Sequence, residues 1–484
     1  MNKRQKKNRQ NNTLDKTATE QGELGAANAT DSGHQADVDM LSKAADGAWI
    51  TGLVGAISVV LVAFVFFKIE ALNHGISFAG KVLTTERNDS MLVALALVAV
   101  AMLIAECVRL YLQGNRVFQF SKQATSRTFS DVFFDAFVHY VELLILLAVV
   151  MFFFHTAGEY GFKRGAAFYQ IWFRFLDLAW MTYLYAGLPY LLFAHYVTGK
   201  SPTFLHRLML GWLKGRFFSS DQAPEDAKEL QHRFRVLLIK MVFLPLMLVF
   251  FAQNFNGLVG FMGYFTEGLP SLLADNVYDH GQLNRDAARL AVALLFSIDF
   301  ALAWCAYLLS MRWLGNGFLS SDATIPGWLV CLLSFAPYKL AFSWYFYAPG
   351  DMAFLKLADQ TLLSVIVVVF VLMHVLNTLS VASFGLRFSN LGYRGVIRSG
   401  VFAFVRHPGY AAKNIAWWCV GLPVMYVAWQ NSGIGAAVKM CIGLALISVV
   451  YYVRAITEER HLRQFAEYRD YCEQVRYRFI PRLF

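Results

Sequence analysis

Two short polar clusters near the end of the chain combine residue types and spacings that could do chemistry. The first is Arg406-His-Pro-Gly-Tyr410, and the second contains Arg454 and Glu458, four residues apart on one predicted helix face. Both clusters border long apolar runs. Because ionisable side chains are costly close to lipid, their presence at these borders indicates a functional site at the mouth of a membrane bundle.

Pro408 predicts how the first cluster is built. Proline lacks a backbone N–H and fits the first turn of a helix, so Pro408 should begin a helix with His407 just outside it. The free backbone amides at such a helix start favour an anionic group such as a carboxylate. The same residues are also typical of an interfacial anchor, with Tyr410 in the aromatic belt of the membrane.

The second cluster also has two interpretations. Arg454 could fix an anionic group of a substrate, and Glu458 could accept hydrogen bonds from hydroxyl or amino groups of a cofactor. Alternatively, the two residues form an ordinary ion pair on a helix surface. We expect their neighbours Glu459, Arg460 and Arg463 to lie on a solvated face of that helix.

The composition indicates an all-α, polytopic membrane protein. The chain has 484 residues, of which 57% are hydrophobic and 16% charged, and its mean hydropathy is +0.44. The net charge of +10 fits the Lys/Arg excess that membrane proteins keep in cytoplasmic loops, so we expect no nucleic-acid partner. The six cysteines have no metal-ligand spacing, and five of them lie in apolar runs as small hydrophobic residues. We therefore predict no metal site.

About ten apolar runs are long enough to cross a bilayer. They divide the chain into a disordered polar tail (1–48), a transmembrane region of about eight spans (49–385) and a C-terminal module (386–484). The stretch 257–270 is apolar but Gly-rich and could be a re-entrant or interfacial piece. The predicted spans are 49–67, 91–112, 135–155, 168–197, 235–256, 289–314, 326–347, 361–385, 410–429 and 433–453.

The charges of the loops predict the orientation of these spans. The loops 198–234 and 386–409 are basic, whereas the loop 257–288 is acidic. Basic loops of membrane proteins face the cytoplasm. With ten spans and the N-terminal tail inside, both basic loops and the C-terminus lie in the cytoplasm and the acidic loop lies outside. We expect the protein in an inner or plasma membrane.

The segment 460–481 has apolar residues at helical spacing. This pattern predicts an amphipathic helix that lies on the membrane surface and could cap a cofactor cavity.

Polar residues also occur inside the apolar runs. We expect most of them to form interhelical pairs, and His374 and Asn377 to be functional, because their helix leads directly into the basic connector. The full set is Glu106, His139, Glu142, Arg174, Asp177, Asp299, Lys339, His374 and Asn377.

The C-terminal module resembles the isoprenylcysteine carboxyl methyltransferase family and its phospholipid methyltransferase relatives. The resemblance lies in an ordered set of motifs: a hydrophobic pair before Ser-Gly-Val, Arg-His-Pro-x-Tyr, two spans, Arg-x-x-x-Glu-Glu, Tyr-x-x-Tyr and a closing aromatic-Ile-Pro. It implies an enzyme that transfers a methyl group from S-adenosylmethionine to a membrane lipid or lipid-linked acceptor. The cofactor would bind between the last helices and the C-terminal segment.

The resemblance also assigns roles to residues by position. It implies that Arg454 is the catalytic arginine near the methyl acceptor and that Glu458 contacts the cofactor. Phe402 stands where the family often has a tyrosine, so a ring is kept and one hydroxyl is lost. Lys413 and Asn414 add polar groups one turn into the ninth span, a departure that points to a different acceptor. The other implied cofactor-binding residues are Arg394, Gly395, Val396, Ile397, His407, Pro408, Gly409 and Tyr410.

Two alternatives stay open. The run from Tyr471 to Pro481 is also similar to the end of membrane sterol reductases, which use NADPH, although their Gly-Asp/Asn signature is absent. The spacing of Arg454 and Glu458 suits the methyltransferases better. The third possibility is a transporter or sensor with a degenerate terminal module, in which Arg174, Asp177 and Asp299 would be the functional groups.

Overall fold

The computed structural model describes residues 44–78, 81–114, 128–157, 167–198, 203–217, 223–268, 270, 279–335 and 353–483. This part of the chain is 82% helical and has almost no sheet, which confirms the prediction of an all-α membrane protein. The polar tail up to residue 43 and the residue Lys339 lie outside the described residues.

Long helices form the body of the molecule. These helices coincide with predicted apolar runs. An apolar run in a membrane forms a helix because a helix satisfies the backbone hydrogen bonds within the run itself. The long helices are α1 (Ala48–Lys68), α3 (Arg87–Leu112), α4 (Phe129–Thr156), α5 (Ala167–Thr198), α7 (Ala223–Gly263), α8 (His280–Leu308), α10 (Gln360–Ser383), α11 (Pro408–Ser432) and α12 (Ile434–Leu462).

Short elements join the long helices. The helices among them are α2 (Ala71–His74), α6 (Leu205–Phe217), α9 (Ile325–Leu333) and α13 (Ala466–Gln474). Two antiparallel strand pairs occur: β1 (Ile76–Phe78) with β2 (Lys81–Thr84), and β3 (Ser320–Ser321) with β4 (Gly392–Tyr393). Single turns of 3-10 helix cover Arg312–Leu314, Ala353–Lys356, Gly385–Arg387 and Gly400–Ala403, and a π turn covers Tyr264–Gly268.

Seven of the described helices are long and apolar enough to cross a membrane: α1, α3, α4, α7, α8, α10 and α12. The helices α5 and α11 coincide with two further predicted spans, 168–197 and 410–429. The predicted span 326–347 begins as α9, and its residues from 336 onward lie outside the described residues. The count of ten spans therefore stays a prediction.

The helix α8 is the centre of the bundle. It packs against α7, α10 and α1, and 72% of its most apolar window is buried inside the protein. Small residues such as Ala301 and Cys305 let these neighbours approach closely. At a second close approach, a Cβ on Gly52 of α1 would overlap the backbone carbonyl of Ala382 on α10.

Several polar residues inside the spans form the expected pairs. Thr51 of α1 donates to Glu106 of α3 at 2.7 Å, and Arg109 forms an ion pair with the same carboxylate at 2.6 Å. Other contacts join Arg174 to Asp89 at 2.6 Å, His139 to His195 at 3.1 Å, and Glu142 to His206 at 2.5 Å. These pairs stabilise helix packing where lipid offers no hydrogen-bonding partner.

Two predicted segments differ from the structure. The stretch 257–270 is not re-entrant, because α7 continues through it to Gly263 before the π turn. The predicted amphipathic helix over 460–481 is also wrong, because α12 ends at Leu462 and only Ala466–Gln474 is helical beyond it. Tyr468, Tyr471 and Val475 pack into a small buried cluster with Tyr393 rather than facing lipid, and this breaks the helix into pieces.

Candidate functional site

A cavity of about 850 Å³ lies among α7, α8, α10, α11, α12 and the C-terminal segment, which is residues 463–483 after the end of α12. A volume of this order is within the range of pockets that hold a cofactor or drug-sized ligand. All eleven residues predicted for the site line it: Arg394, Gly395, Val396, Ile397, Phe402, His407, Pro408, Gly409, Tyr410, Arg454 and Glu458. The structure thus brings these residues together, and their individual roles stay predictions.

The start of α11 forms one wall of the cavity. Pro408 is the first helical residue and His407 is the N-cap, as the sequence predicted. The backbone amides of Gly409 and Tyr410 lie in the first turn, where no carbonyl of the same helix can accept from them. The rings of His407 and Tyr410 stack with their centroids 5.3 Å apart. This wall therefore offers both backbone donors and aromatic surface.

A hydrogen bond joins the two polar clusters. The hydroxyl of Tyr410 donates to Oε2 of Glu458 over 2.7 Å, so α11 and α12 are linked at the cavity wall. Among the described residues no donor reaches the other carboxylate oxygen, Oε1 of Glu458. The carboxylate is therefore available to a ligand that carries a hydroxyl or amino group.

Arg454 occupies an aromatic surround in the same cavity. Its guanidinium lies 5.1 Å from the ring centroid of Tyr410, 5.3 Å from that of Phe335 and 5.9 Å from that of Tyr451. Its Nη2 donates to the side chain of Asn390 over 2.6 Å. In the described part of the chain no ion pair joins Arg454 to Glu458 within 4.0 Å. The interpretation of the two residues as a surface ion pair is therefore wrong.

Glu459, the next residue on α12, points about 100° away from Glu458 and is buried, with 2% of its surface exposed. Its carboxylate accepts from Arg406 at 3.0 Å, His407 at 3.2 Å and Arg478 at 2.9 Å, and it also pairs with Arg463 at 3.3 Å. The predicted solvated face is therefore wrong for Glu459. Four basic side chains and the C-terminal segment cover this carboxylate, a contact between distant parts of the chain that the local sequence does not reveal.

Backbone hydrogen bonds join the C-terminal segment to the first cluster. The N–H of Arg406 donates to the carbonyl of Tyr477 at 3.0 Å, and that of His407 donates to Arg478 at 2.9 Å. One nitrogen of the His407 ring faces Glu459, whose carboxylate also accepts from Arg478 of this segment, so the ring contact connects to the segment through Glu459.

Two buried arginines of the connector form another wall. Arg394 donates to the backbone carbonyls of Asn316, Ala306 and Phe388 at 2.7, 3.0 and 2.9 Å, and Arg387 donates to Gly315 at 2.8 Å. Burial, together with the neighbouring charge of Arg387, lowers the pKa of Arg394 to about 9.

Part of each guanidinium in this pair lacks a partner. Nη2 of Arg394 and both Nε and Nη2 of Arg387 are buried with no acceptor among the described residues. Both arginines line the cavity, so this wall favours an anionic group.

A third polar group of residues lies where α8 and α10 line the cavity. Nδ2 of Asn377 on α10 donates to Oδ2 of Asp299 on α8 over 2.6 Å. A Cβ on Gly409 would lie 3.2 Å from Oδ1 of Asn377, so the first cluster and this pair are neighbours. His374 and Lys413 line the same space. Asn377 and His374 therefore face the cavity, in the place where the sequence predicted functional residues.

Some cavity residues were missed by sequence reasoning. Asn390, which fixes Arg454, lies in the irregular connector and carries no recognisable spacing. Arg387 was counted only as a basic loop residue, although it is among the most buried side chains of the described chain. Arg174 and Asp177, by contrast, do not line the cavity.

A family model matches residues 330–475, and this family is described as a protein of unknown function, DUF1295. The matched range contains α11, α12 and most of the site residues, and leaves the helices before α9 uncovered. No curated protein and no solved structure matches the chain.

Proposed function

We propose that the protein is an integral membrane methyltransferase that uses S-adenosylmethionine and acts on a lipid or lipid-linked acceptor. The observation that carries this proposal is the Tyr410–Glu458 hydrogen bond beside Arg454, in a cavity bounded by the first turn of α11. The matched family typically consists of enzyme-like membrane proteins, which supports an enzymatic role.

The donors and acceptors of the cavity fit this cofactor. The open oxygen of Glu458 suits a ribose hydroxyl or an amino group, and the free amides of Gly409 and Tyr410 suit a carboxylate. Phe402 offers a ring face for the adenine, and its backbone is held by the hydroxyl of Tyr471 at 2.8 Å.

When bound, S-adenosylmethionine supplies a methyl group on a positively charged sulfur. The protein then needs neither a metal nor a nucleophile of its own, and has to align the acceptor and exclude water. Arg454, held by Asn390 and by the surrounding rings, neutralises a carboxylate where cofactor and acceptor meet. The part of the cavity that α8 and α10 line receives the acceptor from the bilayer, and the cofactor arrives from the cytoplasmic side.

A membrane reductase that uses NADPH is the second candidate. The buried N–H groups of Arg387 and Arg394 without acceptors would suit the phosphates of a dinucleotide. The matched family is also associated with membrane proteins that are similar to steroid 5α-reductases.

The two candidates differ in what they transfer. Purified protein in nanodiscs that contain a total membrane lipid extract, given S-adenosylmethionine with a labelled methyl group, should transfer the label to lipid that partitions into the organic phase. The variant Arg454→Gln should lose this transfer, whereas Arg476→Ala, at an exposed residue outside the cavity, should keep it. Oxidation of NADPH without methyl transfer would favour the reductase.

A further inference from the structure

Lys413 is a charged cavity residue to which the proposed function assigns no contact with the cofactor. It lies on the cavity face of α11, one turn beyond Tyr410 and one turn before Trp417. Its ammonium has no hydrogen bond or ion pair with any residue in the described ranges. An ammonium group without a partner inside a membrane helix bundle is costly, which indicates a ligand that accepts a hydrogen bond from it.

Asp299 is the complementary group across the cavity. It is 93% buried on α8, and its Oδ2 accepts from Asn377. Its Oδ1 accepts no hydrogen bond of normal geometry in the part of the chain that the structure describes, and the hydroxyl of Thr378 beside this carboxylate is likewise unsatisfied. A buried carboxylate oxygen without a donor loses the hydrogen bonds that water would supply. Like Lys413, Asp299 lines the cavity.

The two charges form a separated pair. Asp299 and Lys413 line the same cavity, on either side of the contact between Asn377 and Gly409, yet no ion pair joins them within 4.0 Å. A ligand group in this part of the cavity could therefore contact a donor and an acceptor that are not already paired with each other. Asn377 holds Asp299 in place, and Gly409 of the first cluster touches Asn377.

The chemistry of this pair selects the group that fits between them. A cationic amine would be repelled by Lys413, and a carboxylate would be repelled by Asp299. A neutral hydroxyl accepts a hydrogen bond from the ammonium and donates one to the carboxylate, so it satisfies both. The aromatic side chains of Phe250, Phe296 and Trp417 line the same space and suit an apolar body.

We propose that Asp299 and Lys413 form a binding site for the hydroxyl group of an alcohol or phenol carried by a membrane-soluble molecule. This site rests on the proposed function only in naming the hydroxyl as the methyl acceptor. Methylation forms an oxygen–carbon bond, breaks the bond between the methyl carbon and the donor sulfur, and releases the hydroxyl proton. Asp299 takes that proton, and Lys413 stabilises the negative charge that develops on the oxygen.

The test measures selectivity rather than turnover. Full-length protein in detergent is mixed with 1-hexadecanol, hexadecylamine and palmitate, and native mass spectrometry counts the probes bound per chain. We expect wild-type protein to bind hexadecanol at one site in preference to the other two. Asp299→Asn should turn the preference toward palmitate, because Lys413 is then unopposed, and Lys413→Met should turn it toward hexadecylamine.

Each variant should also bind hexadecanol roughly 10-fold more weakly, since one hydrogen bond to a charged group is lost. Lys439→Met, at an exposed lysine of α12 outside the cavity, is the matched control and should keep the wild-type preference. Thermal unfolding of each sample checks that the variants are folded.

Unchanged selectivity in both variants, equal binding of the three probes, or no saturable hexadecanol binding would overturn the site. Titration of the same samples with S-adenosylhomocysteine separates this outcome from failure of the proposed function. If any of these outcomes occurs while S-adenosylhomocysteine still binds, only the hydroxyl site is refuted. Reversal of selectivity without any S-adenosylhomocysteine binding leaves the site standing and refutes the methyltransferase.

Discussion

At the scale of single residues, two adjacent glutamates have opposite surroundings. Glu458 faces the cavity and accepts a hydrogen bond from the hydroxyl of Tyr410, whereas Glu459 is buried and contacts four basic side chains. A helix turns by about 100° per residue, so neighbours in the sequence point in different directions. These surroundings support the proposed role of Glu458 in ligand binding and a structural role of Glu459.

Neutralising either glutamate should distinguish these two assignments. Glu459→Gln leaves the buried Arg406 without its counter-ion and should lower the free energy of unfolding by about 3–5 kcal/mol. Glu458→Gln should leave the stability near that of wild type but weaken S-adenosylhomocysteine binding roughly 10-fold. Chemical denaturation and calorimetric titration measure the two effects. Equal losses of stability in both variants would refute the division of roles.

The residues of the site could be predicted from the sequence where chemistry and local geometry coincide. Pro408 identifies a helix start by itself, and the spacing of Arg454 and Glu458 follows from one helix. The burial of Glu459 could not be predicted in this way, because the residues that cover it come from the connector and from the last segment of the chain. The same holds for Asn390, which becomes relevant only when the connector folds against α12.

At the scale of elements, the C-terminal segment closes the site through aromatic packing. The rings of Tyr393 and Phe465 stack with centroids 4.0 Å apart, and the hydroxyl of Tyr393 donates to Glu467 at 2.7 Å. Hydrophobic periodicity alone indicated one long helix here. It could not identify the break, because both a surface helix and a folded-back cluster bury the same alternation of aromatic residues.

This packing predicts a loss of stability in alkali. Burial raises the pKa of Tyr393, Tyr468 and Tyr471 above the ordinary value of 10.0. The unfolded chain therefore ionises first, and the stabilisation is complete below about pH 10 and declines as the pH rises beyond it. Thermal unfolding between pH 8 and 12, with tyrosinate absorbance as a second signal, should show this decline.

A triple variant in which Tyr393, Tyr468 and Tyr471 are all replaced by Phe lacks the three hydroxyls. Its stability should therefore decline less steeply in alkali. The substitutions should also cost some stability at neutral pH, because the hydrogen bonds to Glu467 and Phe402 are lost. A decline of the same steepness in the triple variant would show that other groups cause it.

The contact between α1 and α10 makes a second prediction at this scale. A methyl group at Gly52 would overlap the backbone of Ala382, which cannot yield as a side chain can. Gly52→Ala should therefore destabilise the protein by about 1–3 kcal/mol. In Gly435→Ala, the matched control in α12, the added methyl group meets nothing within 4 Å, so the stability should not fall. Thermal unfolding in one detergent compares them, and similar melting temperatures would contradict the packing.

At the scale of the whole molecule, the upstream helices and the C-terminal module build one cavity. Asp299 and Phe250 come from helices that precede the matched family range, whereas Tyr410 and Arg454 come from within it. Hydropathy identified nearly every long helix, because a lipid-facing helix must be apolar along its length. It could not indicate which of those helices face the cavity, since that depends on how they pack.

The central claim is that this cavity holds S-adenosylmethionine, and the most direct measurement is calorimetric titration of the full-length, detergent-purified protein. S-adenosylhomocysteine and NADPH are titrated side by side into wild type and into Glu458→Gln. We predict saturable binding of S-adenosylhomocysteine at one site per chain, weakened in the variant, and no saturable heat from NADPH. Saturable binding of NADPH without binding of S-adenosylhomocysteine would contradict the methyltransferase and favour the reductase.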